Sequence, residues 1–434
     1  MTPTPRLLWL SAALAVVALG AAFWPWMVLT WKLCGALLLA VAGLDAVLGW
    51  RRPPLRLQRE VRGGLPLGAW SQVILRLENP RSTGLVLRLH DHYPEGFECT
   101  EMPLRLRLPG QRVARLPYRL RPLRRGDALF PGADLVVASP LGLWERKHFF
   151  ACQDQVKVFP NFREIAHYAL LATDNRLSRM GVKRRLRQGD GGEFHQLREF
   201  RSGDSLRRID WKASSRRHKL ISKEYQDERD QQIVFLLDCG RRMRHAERGR
   251  VHLDEALNAM LLLSYVAVRQ GDAVGFLAFG GERRWFPPRK SGNPVRELLY
   301  RTYDIESSAA AADYLAAARE LMPLQRRRSL VVLLTNTRDE DHDELLAAVR
   351  LLRSRHLTVV ADLREQLLDE VLRRPVRDFD GALRFHGVAD YLESRRRNHE
   401  LLRHHGALTL DLLAAELPVA LVNRYLEIKS AGGL

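Results

Sequence analysis

Hydrophobic residues dominate the first fifty positions in two long runs. The first run, Leu7–Phe23, contains no charged residue, and the second, Met27–Trp50, contains only Lys32 and Asp45. Each run is about as long as the roughly 20 apolar residues that a helix needs to cross a bilayer. The two runs therefore predict a transmembrane helical hairpin. Lys32 and Asp45 are expected near opposite ends of the second helix, where both side chains can reach towards water.

Basic residues flank this hairpin on both sides. The turn between the helices has none, whereas Arg6 precedes the hairpin and four arginines follow it, namely Arg51, Arg52, Arg56 and Arg59. Segments rich in Lys and Arg stay in the cytoplasm. We therefore expect a two-pass anchor over residues 1–52, with both termini cytoplasmic. A cleaved signal peptide is less favoured, because the second apolar run follows almost at once.

Short runs with a two-residue period, broken by Gly and Pro, fill residues 53–160. These runs are Trp70–Glu78, Leu85–His90, Leu104–Leu108, Val113–Tyr118 and Gln155–Phe159. Alternation of apolar and polar residues is typical of half-buried antiparallel strands. The pattern predicts an immunoglobulin-like β-sandwich. No residues in this region have a spacing that suggests catalysis.

Apolar strand runs alternate with helical patterns over residues 231–434. The expected strands are Gln232–Asp238, Ala273–Phe279, Ser329–Thr335, Leu357–Asp362 and Ala407–Asp411. The expected helices are His252–Gln270, Pro294–Tyr303, Ala309–Leu321, Asp343–Arg355, Leu383–His405 and Leu417–Lys429. Such alternation predicts a doubly wound, mostly parallel sheet with any site at the carboxyl ends of its strands.

Charged and aromatic residues crowd the segment before the first of these strands, within a connector over residues 161–230 that begins as a helix. The candidate site residues here are Glu193, Phe194, Arg198, Glu199, Asp204, Arg208, Asp210, Trp211 and Lys212. Arginine pairs with carboxylates in a defined geometry. One interpretation is an ion-pair network that locks the connector onto the sheet, with Phe200 and Trp211 as packing anchors. The alternative is that part of this segment, with the acidic loop over residues 339–343, is exposed to bind a partner.

Three motifs in this segment stand in a fixed order. Residues 189–194 are GDGGEF, residues 197–204 are LREFRSGD and residues 207–216 are RRIDWKASSR, followed by a strand that ends in Leu-Asp at position 238. This combination resembles the bacterial DUF58 family, as do the SPLGLW segment at 139–144 and the C-terminal residues 420–429. The resemblance implies a membrane-tethered protein with a von Willebrand factor A-like domain. It also implies a MoxR-type AAA+ ATPase as partner, because such ATPases are often encoded beside DUF58 proteins.

Metal-binding von Willebrand A domains end their first strand in D-x-S-x-S, whose oxygens surround Mg²⁺. In this sequence Asp238, Gly240 and Arg242 occupy the three positions, and Asn336 stands where a later loop usually supplies an acid. Glycine offers no side-chain ligand, and a guanidinium repels a divalent cation. The sequence therefore predicts no metal and no cofactor here. We expect Arg241 or Arg242 to pair with Asp238 in place of the ion.

The chain is strongly basic, with a formal net charge of +19 and a pI near 10.3. Such a charge favours an anionic partner, which is the inner face of a membrane, an acidic protein or nucleic acid. Acids lie close to most basic runs, so nucleic acid is the least favoured of the three. The sequence lacks the phosphate-loop, dinucleotide and G-x-S-x-G motifs. His399 and His404 are five residues apart, one more than the H-E-x-x-H zinc motif requires.

These observations predict a four-part chain. The parts are a hairpin anchor at 1–52, a β-sandwich at 53–160, a connector with the DUF58 motifs at 161–230 and a von Willebrand A-like domain at 231–434. The expected function is a non-enzymatic inner-membrane adaptor that works with a MoxR-type ATPase. Two alternatives stay open: a metal-dependent hydrolase using Asp238 and the loop at 339–343, and a basic nucleic-acid-binding protein.

Overall fold

The computed structural model describes residues 1–24, 26–50, 54–161, 193–200, 209–226, 231–247, 249–290 and 294–432. The chain divides into two compact units, Met1–Phe159 and Pro160–Leu434. Apart from Asn161, the predicted helical part of the connector lies outside the described residues.

Two apolar helices begin the first unit: α1 (Pro5–Phe23) and α2 (Met27–Leu48). Pro5 occupies the first position of α1, where a missing N–H costs nothing, and the Thr4 hydroxyl accepts a hydrogen bond from the backbone N–H of Leu7. Among the described residues, α2 alone is long and apolar enough to cross a membrane, and α1 is a shorter apolar helix. Only 6% of the most apolar stretch of α2 is buried within the protein. A helix that exposes so much apolar surface needs an apolar environment around it.

Ten strands complete the described part of the first unit. They are β1 (Thr2–Pro3), β2 (Arg56–Glu60), β3 (Gly64–Pro66), β4 (Ser71–Asn79), β5 (Leu85–His92), β6 (Phe97–Thr100), β7 (Leu104–Leu108), β8 (Arg112–Pro122), β9 (Gly126–Ala138) and β10 (Trp144–Phe159). One sheet has the order β1-β10-β9-β5-β7, with β3 also paired to β10, and the other has the order β2-β4-β8-β6. All pairs are antiparallel except β3 with β10. The predicted antiparallel strands are present, and the pattern did not predict β9.

A charged pair lies inside the core between these strands. The side chains of Arg59 and Asp91 are both fully buried, and Nε of Arg59 donates to Oδ2 of Asp91 at 3.0 Å. Tyr118 donates a further hydrogen bond to Asp91, and burial beside this carboxylate raises the pKa of Tyr118. The prediction that Arg59 belongs to the basic flank of the hairpin is therefore wrong, because its charge is neutralised inside the β-sheets. Arg56 is exposed, and positions 51 and 52 lie outside the described residues.

The last turn of α2 is attached to the turn between β9 and β10 through Asp45. This carboxylate is fully buried, and it accepts hydrogen bonds from the Ser139 hydroxyl at 2.5 Å, Leu141 N at 2.9 Å and Leu143 N at 3.1 Å. The prediction that Asp45 reaches towards water is wrong. Three donors of the protein replace water around the carboxylate, which is what burial of a charge requires.

The residues before α1 contact the same turn. Thr4 N donates to Leu143 O at 2.9 Å, and the Thr4 hydroxyl donates to Gly142 O at 2.8 Å. On the other side, the Trp144 indole N–H donates to Ala42 O of α2 at 2.9 Å. Both ends of the hairpin are thus bonded to one turn between β9 and β10.

The second unit contains ten described strands and eight described helices. The strands are β11 (Glu193–Glu199), β12 (Ile221–Gln226), β13 (Gln232–Asp238), β14 (Ala246–Glu247), β15 (Arg250–Val251), β16 (Ala273–Phe279), β17 (Arg284–Arg289), β18 (Leu330–Thr335), β19 (Leu357–Arg364) and β20 (Leu408–Leu413). The helices are α3 (Trp211–Arg217), α4 (His252–Arg269), α5 (Pro294–Thr302), α6 (Tyr314–Leu324), α7 (His342–Arg353), α8 (Gln366–Arg373), α9 (Phe379–His404) and α10 (Leu417–Ser430).

Six of these strands form one mixed sheet with helices on both faces. Its order is β17-β16-β13-β18-β19-β20, and only the pair of β17 with β16 is antiparallel. Alternate residues of β13 point to opposite faces: Phe235 joins a core with α4 and α10, whereas Val234 and Leu236 join a core with α6 and α7. The predicted mostly parallel sheet and the bounds of β13 and β16 are confirmed.

Several helices differ from the prediction; α9, for example, begins at Phe379 and not at Leu383. The helix expected from Ala309 begins instead at Tyr314, because the Asp313 carboxylate caps it by accepting a hydrogen bond from Ala316 N at 2.7 Å. The pattern did not predict α8, whose short length gives too few turns for a clear helical period.

Candidate functional site at the carboxyl edge of the parallel sheet

Polar side chains meet where the parallel strands end. Asp238 ends β13, residues 335–337 end and follow β18, and Asp362 and Asp411 lie near the ends of β19 and β20. Carboxyl ends of adjacent parallel strands share one edge of a sheet, which is where such folds place their sites.

Hydrogen bonds within the fold occupy both oxygens of Asp238. Its side chain is buried, Oδ1 accepts from Gly240 N at 2.7 Å, and Oδ2 accepts from the Thr335 hydroxyl at 2.7 Å. The Tyr314 hydroxyl lies 2.8 Å from that of Thr335 and extends this chain. Burial raises the pKa of Asp238, while the hydrogen bonds and the nearby charge of Arg242 act in the opposite direction.

Arg242 lies in the 3₁₀ turn Arg241–Arg244, directly after Asp238 in the chain. Its guanidinium pairs with Glu340 and Asp341, and Arg241 pairs with the same Glu340 at 3.0 Å. The prediction that one of these arginines pairs with Asp238 is therefore wrong: among the described residues, their ion pairs go to the loop after β18. Two acids of the loop, Glu340 and Asp341, are therefore paired within the fold.

The side chains at this edge do not suit a hard cation. A Cβ added to Gly240 would lie 3.0 Å from Oδ1 of Asp238 and 3.1 Å from Ala310 O, so the backbone and the carboxylate leave little room for a serine there. A cavity of only about 10 Å³, lined by Asp238, Arg242 and Asp341 among others, holds at most one water molecule. The guanidinium of Arg242 supplies the positive charge that the acids require.

Asn336 turns away from Asp238 into a second cluster. Its side chain is buried, and Nδ2 donates to Oε1 of Glu365 at 3.0 Å and lies 3.1 Å from Nδ1 of His252. Glu365 also pairs with Arg338. Burial alone would raise the pKa of Glu365, but the hydrogen bond from Asn336 and the charge of Arg338 outweigh burial and lower it.

A third cluster joins α9 to the ends of β19 and β20. Asp362 is buried against Nη2 of Arg395 and Nε2 of His399, each 2.9 Å from its Oδ2. Nε of Arg395 also donates to Oδ1 of Asp411 at 3.0 Å. His399 thus binds a carboxylate of the fold. One signal for this cluster is visible in the sequence, an acid near the end of the buried strand β19. Nothing in the sequence indicates which distant residue pairs with that acid.

The segment before β13 contains a small antiparallel hairpin of β11 and β12 with α3 between them. Oδ1 of Asp210 caps α3 by accepting from Ala213 N at 3.0 Å, and the Ser214 hydroxyl accepts from Ile221 N at 2.8 Å. Glu199 pairs with Lys219 at 2.9 Å on the surface. Capping and backbone pairing therefore hold the described part of this hairpin.

Comparison with known proteins gives one family match and one curated relative. Residues 196–386 match the family described as protein of unknown function DUF58. A curated relative, the uncharacterized protein YeaD of Bacillus subtilis (strain 168), is 24% identical over 260 residues, which cover 58% of this chain and 62% of the relative. Residues 196–386 of this chain are therefore similar to the DUF58 family. The chain spans less than two thirds of the length of that relative.

Solved structures show only weak likeness. The CARDB domain of the PF1109 protein from Pyrococcus furiosus matches with a TM-score of 0.20 and 11% identity, over 24% of this chain and 88% of that one. Proximal thread matrix protein 1 from the mussel byssus matches with a TM-score of 0.32 and 11% identity, over 48% of each chain.

The DUF58 match includes an exposed tryptophan between β11 and β12. Trp211 is 68% exposed at the start of α3, beside the exposed Lys212, whereas Phe200 is half-buried. The prediction that Trp211 is a packing anchor is therefore wrong. Asp204 and Arg208 lie outside the described residues, as do the side chains of Glu193, Phe194 and Arg198.

Proposed function

We propose that this protein is a non-enzymatic adaptor of the bacterial inner membrane. In this proposal a transmembrane hairpin and an immunoglobulin-like sandwich carry a von Willebrand A-like domain, which holds a MoxR-type AAA+ ATPase or its client at the cytoplasmic face. The family resemblance implies the ATPase as partner. The rest of the argument for the proposal rests on the side-chain contacts of this chain.

The arginine pairs at the carboxyl edge of the sheet carry the proposal. In a doubly wound fold this edge is where reactive groups collect. Here Arg242 holds Glu340 and Asp341, Arg338 holds Glu365, and Arg395 holds Asp362. Acids that are paired in this way are poor general bases and poor metal ligands, so the arrangement favours binding over bond-breaking.

The attachment of both hairpin ends to one turn supports a two-pass anchor. Thr4, before α1, and Asp45, at the end of α2, both bond to the residues between β9 and β10. Because the start of α1 and the end of α2 contact the same turn, both ends of the helix pair lie on the same side of the membrane. With the basic flank at Arg56, this arrangement favours a cytoplasmic β-sandwich.

Exposed Trp211 is the proposed docking residue for the ATPase, because buried aromatic anchors dominate many protein interfaces. The test is capture of the purified MoxR-type ATPase of the same bacterium by the full-length protein in detergent. Trp211→Ala should abolish capture, and the matched change Trp70→Ala, at a tryptophan that is 38% exposed elsewhere in the chain, should preserve it. Failure of the unmodified protein to retain the ATPase would sink the proposal.

One observation favours the hydrolase as a second candidate. Asp238 and Asp341 line the same small cavity, so two carboxylates are close to each other. A metal-dependent enzyme should show a Mg²⁺- or Mn²⁺-dependent rise in melting temperature that Asp238→Ala removes. The adaptor proposal expects no such rise in the unmodified protein.

A further inference from the structure

A wide cleft adjoins the carboxyl edge of the parallel sheet. Its volume is about 540 Å³. The lining residues are Arg241, Arg242, Arg244, His245, Ala309, Arg338 and Glu365. Four guanidiniums and one imidazole thus face a single lining carboxylate. This charge balance suits an anionic ligand and opposes a cation.

Acids of the fold hold three of these guanidiniums in place. Glu340 bridges Arg241 and Arg242, and Glu365 pairs with Arg338. A guanidinium carries five N–H donors, and one ion pair uses only some of them. The remaining donors are therefore fixed in direction before any ligand arrives, which lowers the entropy cost of binding.

Arg244 differs from the other three. Its side chain is exposed, and no acid pairs with it among the residues that the structure describes. A guanidinium that lines a cleft without an internal counter-ion is the most available donor for a bound anion.

Glu340 indicates which anion the cleft accepts. Its carboxylate is 65% exposed, yet it contacts both Arg241 and Arg242 at the rim. An exposed ion pair is weak and exchanges readily with competing groups. Carboxylates match the planar fork of arginine in a bidentate manner. The chain thus places one of its own carboxylates where a partner's carboxylate would bind.

We infer that this cleft binds an acidic segment of a partner protein through its carboxylates, and that Glu340 is the internal competitor which the segment displaces. A volume near 540 Å³ exceeds the needs of one small ion and lies in the range of sites that enclose several groups. The inference rests on the proposed adaptor function, to which it adds the chemistry of the docking partner.

The test uses the full-length protein in detergent and a fluorescent Glu-rich peptide, with binding followed by fluorescence anisotropy. Arg244→Gln should weaken binding about tenfold, the worth of one charge-assisted hydrogen bond. Glu340→Gln should tighten binding several-fold, by about the worth of an exposed ion pair. A peptide with Gln in place of Glu should not bind.

Arg326→Gln is the matched control. Arg326 is exposed and precedes the amino end of β18, so this change removes the same charge at the opposite edge of the sheet. If Arg326→Gln and Arg244→Gln weaken peptide binding equally, general charge attraction explains the binding and the inference is wrong. If Glu340→Gln binds the peptide with unchanged or lower affinity, the claim that the peptide displaces Glu340 is wrong. Inorganic phosphate that displaces the peptide, where chloride at equal ionic strength does not, would overturn the choice of a carboxylate ligand.

The two proposals fail separately. Peptide binding without capture of the ATPase would count against the adaptor role and leave the acidic-segment site standing. Capture of the ATPase that Arg244→Gln does not weaken, together with no peptide binding, would remove the site and leave the adaptor role.

Discussion

Arg395 and Asp362 form an ion pair that is almost completely buried. Nη2 of the arginine lies 2.9 Å from Oδ2 of the aspartate, and the two side chains are 3% and 1% exposed. Burial disfavours the charged aspartate, but the charge of Arg395 and the hydrogen bond from His399 outweigh it and lower the pKa of Asp362. The pair therefore connects α9 to the carboxyl edge of the sheet by charge.

Removal of the arginine should strongly destabilise this unit. Arg395→Met leaves Asp362 as a buried charge without its counter-ion, which typically costs about 3–5 kcal/mol. Thermal unfolding of the full-length protein should show a lower melting temperature for the second unit. Arg396→Met, which removes an exposed pair with Glu393 one residue further on, should have no measurable effect. A similar loss in both variants would contradict the role given to burial.

The stability of the second unit should depend on His252 between about pH 4 and 6.5. Burial, together with the charges of His245 and Arg338, lowers the pKa of His252 from 6.5 to about 4. The unfolded chain therefore binds more protons in this window, and the contribution of His252 is complete above pH 6.5 and is lost as the pH falls towards 4.

The variant His252→Asn isolates this effect. Asparagine keeps an acceptor near the position of Nδ1, which contacts Asn336, but it does not titrate. Urea unfolding at several pH values should give a flatter slope for the variant in this window. Asp238, whose pKa is raised by burial, contributes in the opposite sense, since its effect on stability declines as the pH rises above 3.8. Identical slopes for both proteins would show that His252 is not the titrating group.

Arg242→Ala should turn the carboxyl edge into a weak cation site. The change removes the counter-ion of Asp341 and one of the two arginines that pair with Glu340, and it leaves Asp238 nearby. We expect a lower melting temperature that Mg²⁺ partly restores, because oxygen ligands then lack a positive charge. The control Arg241→Ala removes a more exposed guanidinium from the same turn and should show little response to Mg²⁺. A response of the unmodified protein would favour the hydrolase instead.

Asp45→Ala should loosen the turn between β9 and β10. Leu141 N and Leu143 N would lose their acceptor. A hydrogen bond to a charged group is worth about 1.5–3 kcal/mol, so the exchange of these two amide hydrogens should accelerate by about tenfold or more. Hydrogen–deuterium exchange of the detergent-solubilised protein measures this directly. Asp127→Ala, at an exposed partner of Lys157, should leave both amides unchanged.

Apolar periodicity predicted the elements and failed at the charged residues. The bounds of β13 were predictable because seven residues, mostly apolar, run without interruption up to Asp238. The pattern assigned Arg59 and Asp45 to the surface, since charged residues are rarely buried. Their partners Asp91 and Ser139 are distant in the sequence, and no local period reveals such a pair.

Ion pairs between residues that are distant in the sequence also determine the arrangement of the candidate site. Asp238 and Arg242 were predicted together because they occupy the first and last positions of the D-x-S-x-S motif that the family resemblance implies. The choice of Glu340 and Asp341 as partners depends on how the loop after β18 lies beside the turn after β13. Trp211 shows the opposite error, because it was predicted to be buried and is exposed. A large apolar residue in a charged segment usually packs inwards, and the direction of α3 leaves this one exposed.

The bond between α2 and the β9–β10 turn has a mechanical consequence. Because α2 contacts the sheet through its own last turn, the short chain between Trp50 and Leu55 does not set the distance from the helix to the sheet. Extra residues inserted between Trp50 and Leu55 should therefore be tolerated, whereas a change in the tilt of α2 should move β9 and β10 with it.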